Sequence, residues 1–559
     1  MMVNWMAGLL AFLSVWVFGR HFLGARRGVV AALLYCILPL VGHFSFADMK
    51  IDNAVFLFGV VAMLMTFMAL IEKEDDAQEG APRFSDTHRL LLIAGILIGF
   101  AIGTKVTAAM MFLALLAVVL GLALHWSGFI GGIGIAFIVL TVMNIFSAKD
   151  IIERIIGGPV DASTNTIALA IFGMIAAGGI GYAIVRSRGK ELFALTAVLA
   201  FLGGIAIGVV PWIEHNNILR GQIVPRIELG APNSLSPSHV FKIGEALPRD
   251  NGQDIRVLPD DLRVDKTLPA CLATGGTEEL DRYWGHDGGI SHYLTLPWRT
   301  VMNLDSNGYY VTTMAALLLF PLLLLLPYFW TPAGRWLRWL AAATALLTLQ
   351  WILLANGIPW YGIGMFLGLT IALEAMIVRA PDHLSRAIGS GIVGLSILAC
   401  FGFRMGQFEQ QRSMYEYPMG KISAKALQEV TIAHYDDIVA TLDQRRRETP
   451  DRPYLYRIGT FIPYFVPRSL EVIGMQDHQL DAFNCLYAER DPELTVRRLK
   501  ALGFNSFVLD LNTQTIESDP NGSLHKKVRL FQEFVNDPRS GLQVVLNDEN
   551  AGIAYILIP

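Results

Sequence analysis

Long apolar segments alternate with short polar connections through residues 1–404 of this chain. About twelve of these segments are long enough to cross the ~30 Å hydrocarbon core of a bilayer. They lie at 3–19, 28–46, 53–71, 90–104, 107–126, 128–146, 166–185, 192–212, 312–329, 336–355, 360–378 and 387–404. The pattern predicts an α-helical polytopic membrane domain, because helices satisfy their own backbone polar groups in lipid.

The pattern changes after residue 404, where apolar residues occur in short runs separated by polar turns. Strands are predicted at 453–460, 505–511, 543–546 and 553–558, and helices at 491–503 and 524–535. This order predicts a small soluble α/β domain built around a three-layer sheet. We therefore expect two domains, 1–404 and 405–559, with a loop domain at 213–311 inserted into the first.

Basic residues are concentrated in every second connection between the apolar segments. They are Arg20, Arg26 and Arg27; Lys73, Arg83 and Arg89; Arg186, Arg188 and Lys190; Arg335 and Arg338; and Arg379 and Arg386. By the positive-inside rule these connections are cytoplasmic. The long loop and the C-terminal domain then lie outside the cytoplasm, and we expect a multi-pass protein of the inner (plasma) membrane.

The composition supports this class of protein. The chain has 559 residues, of which 53% are hydrophobic and only 16% charged, too few charges for a soluble protein of this length. A net charge of −4 gives no support to a nucleic-acid partner. Cys36 and Cys400 fall in apolar segments, whereas Cys271 and Cys485 fall in polar regions where an oxidising compartment would allow a disulfide.

An acidic connection at 47–53 holds Asp48, Lys50 and Asp52 between two apolar segments. A charge beside the hydrocarbon is costly unless it is solvated, paired or used in function. One interpretation is structural: the charges mark the membrane surface, and Asp52 caps the helix that follows it. The other interpretation is that these charges are catalytic, which needs support from other parts of the sequence.

Further polar candidates lie at the membrane ends of the long loop, namely Glu214, His215 and His292. Such groups can contact a substrate, or bind a divalent metal ion together with Asp48 or Asp52. No short ligand spacing supports a metal site, and solvated loop residues are the alternative interpretation. No glycine-rich phosphate loop is present, so no nucleotide site is predicted.

Several short motifs occur in a characteristic order. They are Val17-Phe18-Gly19-Arg20, Ile37-Leu38-Pro39, Lys50-Ile51-Asp52-Asn53, Gly99-Phe100-Ala101-Ile102-Gly103-Thr104-Lys105, and Pro211-Trp212 followed by Asn216-Asn217. Their order resembles the GT-C superfamily of membrane glycosyltransferases, closest to protein O-mannosyltransferases and the lipid A aminoarabinose transferase. The resemblance covers roughly the first 400 residues. The C-terminal region is similar to periplasmic domains appended to many bacterial members.

The resemblance implies transfer of a sugar from a polyprenyl-phosphate donor in the bilayer to an acceptor in the cell envelope. Such a reaction needs a carboxylate base for the acceptor hydroxyl, and positive charge or a metal ion for the leaving phosphate. It implies that Asp52, joined by Asp48, is catalytic, and that Lys50 and Lys105 bind the donor phosphate. Lysines that extend to the membrane surface without a catalytic role are the alternative for both. A divalent metal ion is a candidate cofactor for this chemistry, and no other cofactor is expected.

The chain also departs from the family pattern. The aspartate of the family's first outer loop has no match here, and the predicted topology places Met1 outside. We therefore expect that the sequence lacks the first transmembrane helix and the first outer loop. A second departure lies at Gly357-Ile358-Pro359-Trp360-Tyr361, where many members carry an arginine near a tyrosine.

Other classes of membrane protein stay open on the sequence alone. About twelve spans also suit a transporter, although charges within the spans are nearly absent and no paired broken helices mark a central site. A polysaccharide polymerase or ligase would share the lipid-linked substrate. A non-catalytic membrane scaffold or sensor is the third alternative.

Overall fold

The chain divides into two compact units, Met1–Arg226 with His286–Arg412, and Ile227–Gly285 with Ser413–Pro559. Part of the long loop therefore belongs to the same unit as the C-terminal region. The computed structural model describes residues 2–46, 51–71, 84–143, 145–161, 163–220, 258–265, 268, 270, 289–302, 325–330, 334–354, 359–410, 412–431, 434–448, 454–458, 473–476, 480–510, 523–548 and 553–559.

The described part of the first unit is helical. Its helices are α1 (Met2–Leu23), α2 (Ala25–Ile37), α3 (Pro39–Phe46), α4 (Asp52–Leu70), α5 (Phe84–Thr104), α6 (Ala109–Ala123), α7 (Trp126–Val142), α8 (Ala148–Ile156), α9 (Thr164–Arg186), α10 (Glu191–Arg220), α11 (Ile290–Met302), α12 (Arg335–Leu354), α13 (Phe366–Arg379) and α14 (His383–Gln410). Short 3-10 segments at Val106–Ala108, Leu326–Trp330 and Pro359–Met365 connect or extend them.

Nine helices among the described residues are long and apolar enough to cross a membrane. This confirms the predicted polytopic membrane fold, with differences at three of the predicted spans. The span at 28–46 is broken between α2 and α3, because Pro39 has no N–H to donate and forces Leu38 to an extended ψ of 126°. The span at 128–146 is a shorter helix of 17 residues, and most of 312–329 lies outside the described residues.

Glycines allow α5 and α10 to pack with their backbones in close approach. A Cβ atom at Gly204 would lie 2.1 Å from the carbonyl oxygen of Leu92, and one at Gly99 would lie 2.5 Å from that of Ile205. Glycines spaced by four residues on both helices make this approach possible, as in many membrane helix pairs. The contact positions the end of α5, which directly precedes Lys105.

The second unit is an α/β domain. Its described elements are α15 (Arg412–Glu416), which begins at the unit boundary, α16 (Ala424–Thr431), α17 (Tyr435–Glu448), β1 (Tyr454–Ile458), β2 (Ile473–Gln476), α18 (Asp481–Leu486), α19 (Pro492–Ala501), β3 (Ser506–Asp510), α20 (Ser523–Asn536), β4 (Gln543–Asp548) and β5 (Ile553–Leu557). The strands lie in the order β2-β1-β3-β5-β4; β2, β1 and β3 are parallel, whereas β5 is antiparallel to β3 and β4.

The predicted three layers are present. Tyr456 and Phe507 face the helices α18, α19 and α20, whereas Leu455 and Val508 face Ile438 of α17 on the other side of the sheet. All four predicted strands and both predicted helices of this domain are confirmed. The sequence analysis missed the short elements β2 and α18, and also α15, α16 and the 14-residue α17.

Arg498 joins the inserted loop to the C-terminal domain within the second unit. Its guanidinium is 2% exposed, donates to the backbone oxygens of Leu262 and Arg263, and pairs with Glu489 at 2.5 and 2.7 Å. Cys485 forms a disulfide, and Cys271 lies outside the described residues. Leu258, Leu262 and Val264 of the inserted loop belong to the core of this unit, which the sequence analysis did not predict.

Candidate active site

Asp52 and Lys105 form an ion pair in the first unit. The Lys105 Nζ atom lies 2.6 Å from Oδ1 of Asp52, a short charge-assisted hydrogen bond. The Asp52 side chain is 2% exposed and that of Lys105 20% exposed. The sequence analysis named both residues as site candidates but did not predict that they contact each other.

Asp52 is held in place by the start of α4. It occupies the first turn of that helix, where the unpaired backbone N–H groups favour a negative charge. The next residue, Asn53, is fully buried, accepts a hydrogen bond from the Tyr35 hydroxyl at 3.3 Å and donates to the backbone oxygen of Val41 at 3.4 Å. These bonds fix the start of α4 against α2 and α3.

Lys105 lies directly after the last residue of α5. Its backbone is extended, with φ −155° and ψ 126°, and the 3-10 turn Val106–Ala108 follows it. The absence of a side chain at Gly103 lets the Trp212 ring of α10 approach, since a Cβ atom there would lie 2.9 Å from the ring. The Lys105 ammonium also lies 4.9 Å from the centre of the Tyr361 ring, within the range of a cation–π contact.

A small cavity borders the ion pair. Its volume is about 20 Å³, room for roughly one water molecule. Its polar lining comes from Asp52, Thr107 and Tyr361, and its apolar lining includes Met111 and Leu347. The cavity brings residues of four segments, around α4, α6, α12 and the 3-10 turn at Pro359–Met365, to one place.

The arrangement places a carboxylate beside an ammonium group. A carboxylate can accept a proton from a hydroxyl, and an ammonium can neutralise a phosphate. The part of the chain that the structure describes contains no group of three or more His, Cys, Asp or Glu side chains that could hold a metal ion, and the divalent metal ion stays a prediction.

Of the remaining predicted site residues, the structure describes only Glu214, His215 and His292. Asp48 and Lys50 lie outside the described residues. Glu214 and His215 are exposed near the end of α10, and His292 is buried on α11 at 1% exposure. Their roles, including metal binding, stay predictions.

The sequence analysis did not name Asn53 and Tyr361 as contributors to this arrangement. Asn53 was treated only as part of the acidic connection, and Tyr361 only as part of a segment that lacks the family's arginine. An amide directly after the candidate aspartate, at the start of an apolar helix, was the available signal for Asn53. No local signal existed for Tyr361, because its partner Lys105 is distant in sequence.

The chain was also compared with known proteins. The family model of dolichyl-phosphate-mannose-protein mannosyltransferases matches residues 1–148, about a quarter of the chain. No curated protein matches the chain. A solved structure, ArnT from Cupriavidus metallidurans in the apo state, aligns with 100% of this chain and 83% of its own, at 14% identity and a TM-score of 0.27. Residues 1–148, which contain both Asp52 and Lys105, are thus similar to the dolichyl-phosphate-mannose-protein mannosyltransferases, and the resemblance to the GT-C superfamily is confirmed for this part of the chain.

Proposed function

We propose that this protein is a membrane glycosyltransferase of the GT-C type. It transfers a sugar from a polyprenyl-phosphate-linked donor to an acceptor on the extracytoplasmic face of the membrane. The observation that carries this proposal is the buried Asp52–Lys105 ion pair, within the region that matches the mannosyltransferase family. It supplies the two groups that the transfer needs, a base and a cation.

The transfer is a substitution at the anomeric carbon of the donor sugar. The bond between this carbon and the lipid phosphate oxygen breaks, and its electron pair leaves with the polyprenyl phosphate. The acceptor oxygen forms the new bond to the anomeric carbon, and its proton goes to the Asp52 carboxylate. Lys105 neutralises the phosphate charge that develops.

The contact between the two residues links donor binding to base activation. The Lys105 Nζ atom lies 2.6 Å from the Asp52 carboxylate. A donor phosphate that binds the ammonium competes with this contact. The Asp52 oxygen released from the contact can then accept the proton of the acceptor hydroxyl.

Topology supports an extracytoplasmic site. The first unit carries Arg27 and Arg379 at the opposite end of its helices from Asp52, since α13 runs about 20 Å from Met365 to Arg379. Basic connections favour the cytoplasmic side. The disulfide at Cys485 is consistent with a C-terminal region outside the cytoplasm, where disulfides persist.

The test is a transfer assay with the full-length protein in proteoliposomes. The vesicles receive a panel of radiolabelled polyprenyl-phosphate sugars and a cell-envelope extract as acceptor, and the release of polyprenyl phosphate is measured. We expect one donor to be consumed with transfer of label to the extract. Folded protein that consumes none of the donors would contradict the proposal.

A further inference from the structure

A cluster of arginines and aromatic rings lies at the other end of the membrane unit from Asp52. The Arg379 guanidinium lies 5.8 Å from the centre of the Trp336 ring, and this ring stacks on Phe22 at 4.7 Å. Nearby, Arg27 donates to Glu374 at 3.0 Å, a contact between α2 and α13. Arg335 precedes Trp336 at the start of α12. The cluster thus joins the ends of α1, α2, α12 and α13.

Arg379 has a donor that the described residues leave unused. Its Nη1 atom is buried and has no hydrogen-bond acceptor in the described part of the chain. A buried charged donor without an acceptor is strongly unfavourable. Glu374, the carboxylate of the cluster, is fully buried and accepts from Arg27 through Oε2, and among the described residues it makes no hydrogen bond with Arg379. The arrangement therefore suits an added anion at Arg379.

Gly334 packs closely on the cluster. A Cβ atom there would lie 3.3 Å from Nη2 of Arg379 and 3.0 Å from Nε1 of Trp336. A larger residue would crowd the guanidinium and the indole, so glycine lets Arg379 and Trp336 keep this arrangement.

We propose that Arg379, with Trp336 and Arg335, binds the phosphate of an anionic phospholipid headgroup. The planar fork of an arginine matches phosphate oxygens in a bidentate manner. Tryptophan is enriched at the depth of lipid headgroups, and basic pockets between membrane helices bind anionic lipids. The site is independent of the proposed transfer reaction, because α13 separates it from Asp52 by about 20 Å.

Native mass spectrometry of the detergent-purified full-length protein tests this site. The protein is titrated with phosphatidylglycerol and, separately, with phosphatidylcholine. We expect phosphatidylglycerol to bind preferentially, and Arg379→Gln to weaken its binding about tenfold, the effect of losing a charged hydrogen bond. Arg338→Gln is the matched control, since Arg338 is an exposed arginine on α12, the helix that carries Trp336. It should leave binding unchanged.

Two further variants and a competition with inorganic phosphate also test the proposal. Arg379→Lys and Trp336→Leu should each weaken phosphatidylglycerol binding several-fold, even if Arg379→Gln fails to fold. Wild-type binding by both variants would overturn the proposal. Excess inorganic phosphate should not displace the lipid; full displacement would assign the site to free phosphate instead.

Discussion

Lys105 and Asp52 are 53 residues apart in sequence, yet their charged atoms lie 2.6 Å from each other with the carboxylate almost fully buried. A buried carboxylate without its cation is strongly destabilising, typically by about 3–5 kcal/mol. Each residue therefore helps to hold the other in position. The pair also fixes the end of α5 against the start of α4.

This dependence predicts non-additive effects on stability. Lys105→Met should lower the melting temperature of the detergent-solubilised protein more than the double variant Asp52→Asn/Lys105→Met, because the double variant leaves no unpaired charge. Thermal unfolding of the wild type, the two single variants and the double variant measures this coupling. Additive shifts would show that the two side chains do not interact in the folded protein.

The Tyr361 ring should assist donor binding through its contact with Lys105. Tyr361→Leu removes the ring 4.9 Å from the ammonium, and we expect the KM for the donor to rise about three- to tenfold. Tyr361→Phe keeps the ring and should stay close to the wild type. Steady-state transfer kinetics of the two variants test this prediction. If Tyr361→Phe raised the KM as much as Tyr361→Leu, the hydroxyl and not the ring would assist donor binding.

The sequence predicts the class of fold well because its signals are local. Apolar spans and the strands of the C-terminal domain follow from hydrophobic spacing within about 20 residues. The break at Pro39 lies inside an uninterrupted apolar run, so periodicity alone extended one span across it. The four-residue strand β2 is too short to give a clear pattern.

The site is harder to predict because its contacts are distant in sequence. Asp52 and Lys105 each carry a local signal, a charge at the end of an apolar segment, and both were named. Their pairing, the cation–π contact of Tyr361 and the anchoring of Asn53 by Tyr35 depend on how helices pack. The burial of Leu262 against the C-terminal domain has the same origin.

Close packing of α5 on α10 predicts a sharp difference between neighbouring glycines. Gly204→Ala would place a methyl group 2.1 Å from the Leu92 carbonyl oxygen and should destabilise the protein by about 1–3 kcal/mol. Gly203→Ala meets no atom within 4 Å and should be neutral or stabilising by up to about 1 kcal/mol. Melting temperatures of both variants test this, and equal values would contradict the described packing.

The second unit should lose stability in acid through Glu489. The hydrogen bond from Arg498 lowers the pKa of this carboxyl. A lowered pKa in the folded state means that the stabilisation is present above the ordinary pKa of the carboxyl and is lost as pH falls through the lowered value. Hydrogen exchange of α19 in the full-length protein should therefore accelerate in acid. Glu489→Gln should reduce this pH dependence, and an unchanged profile would contradict the role of the pair.

The most direct test of the proposed function is the rate of sugar transfer by Asp52→Asn in proteoliposomes. We expect this rate to fall at least about a hundredfold, the usual contribution of a general base, while the protein stays folded. Asp86→Asn, which changes an exposed carboxylate near the start of α5, is the matched control and should transfer at the wild-type rate. Transfer by Asp52→Asn at the wild-type rate would contradict the catalytic role of this residue.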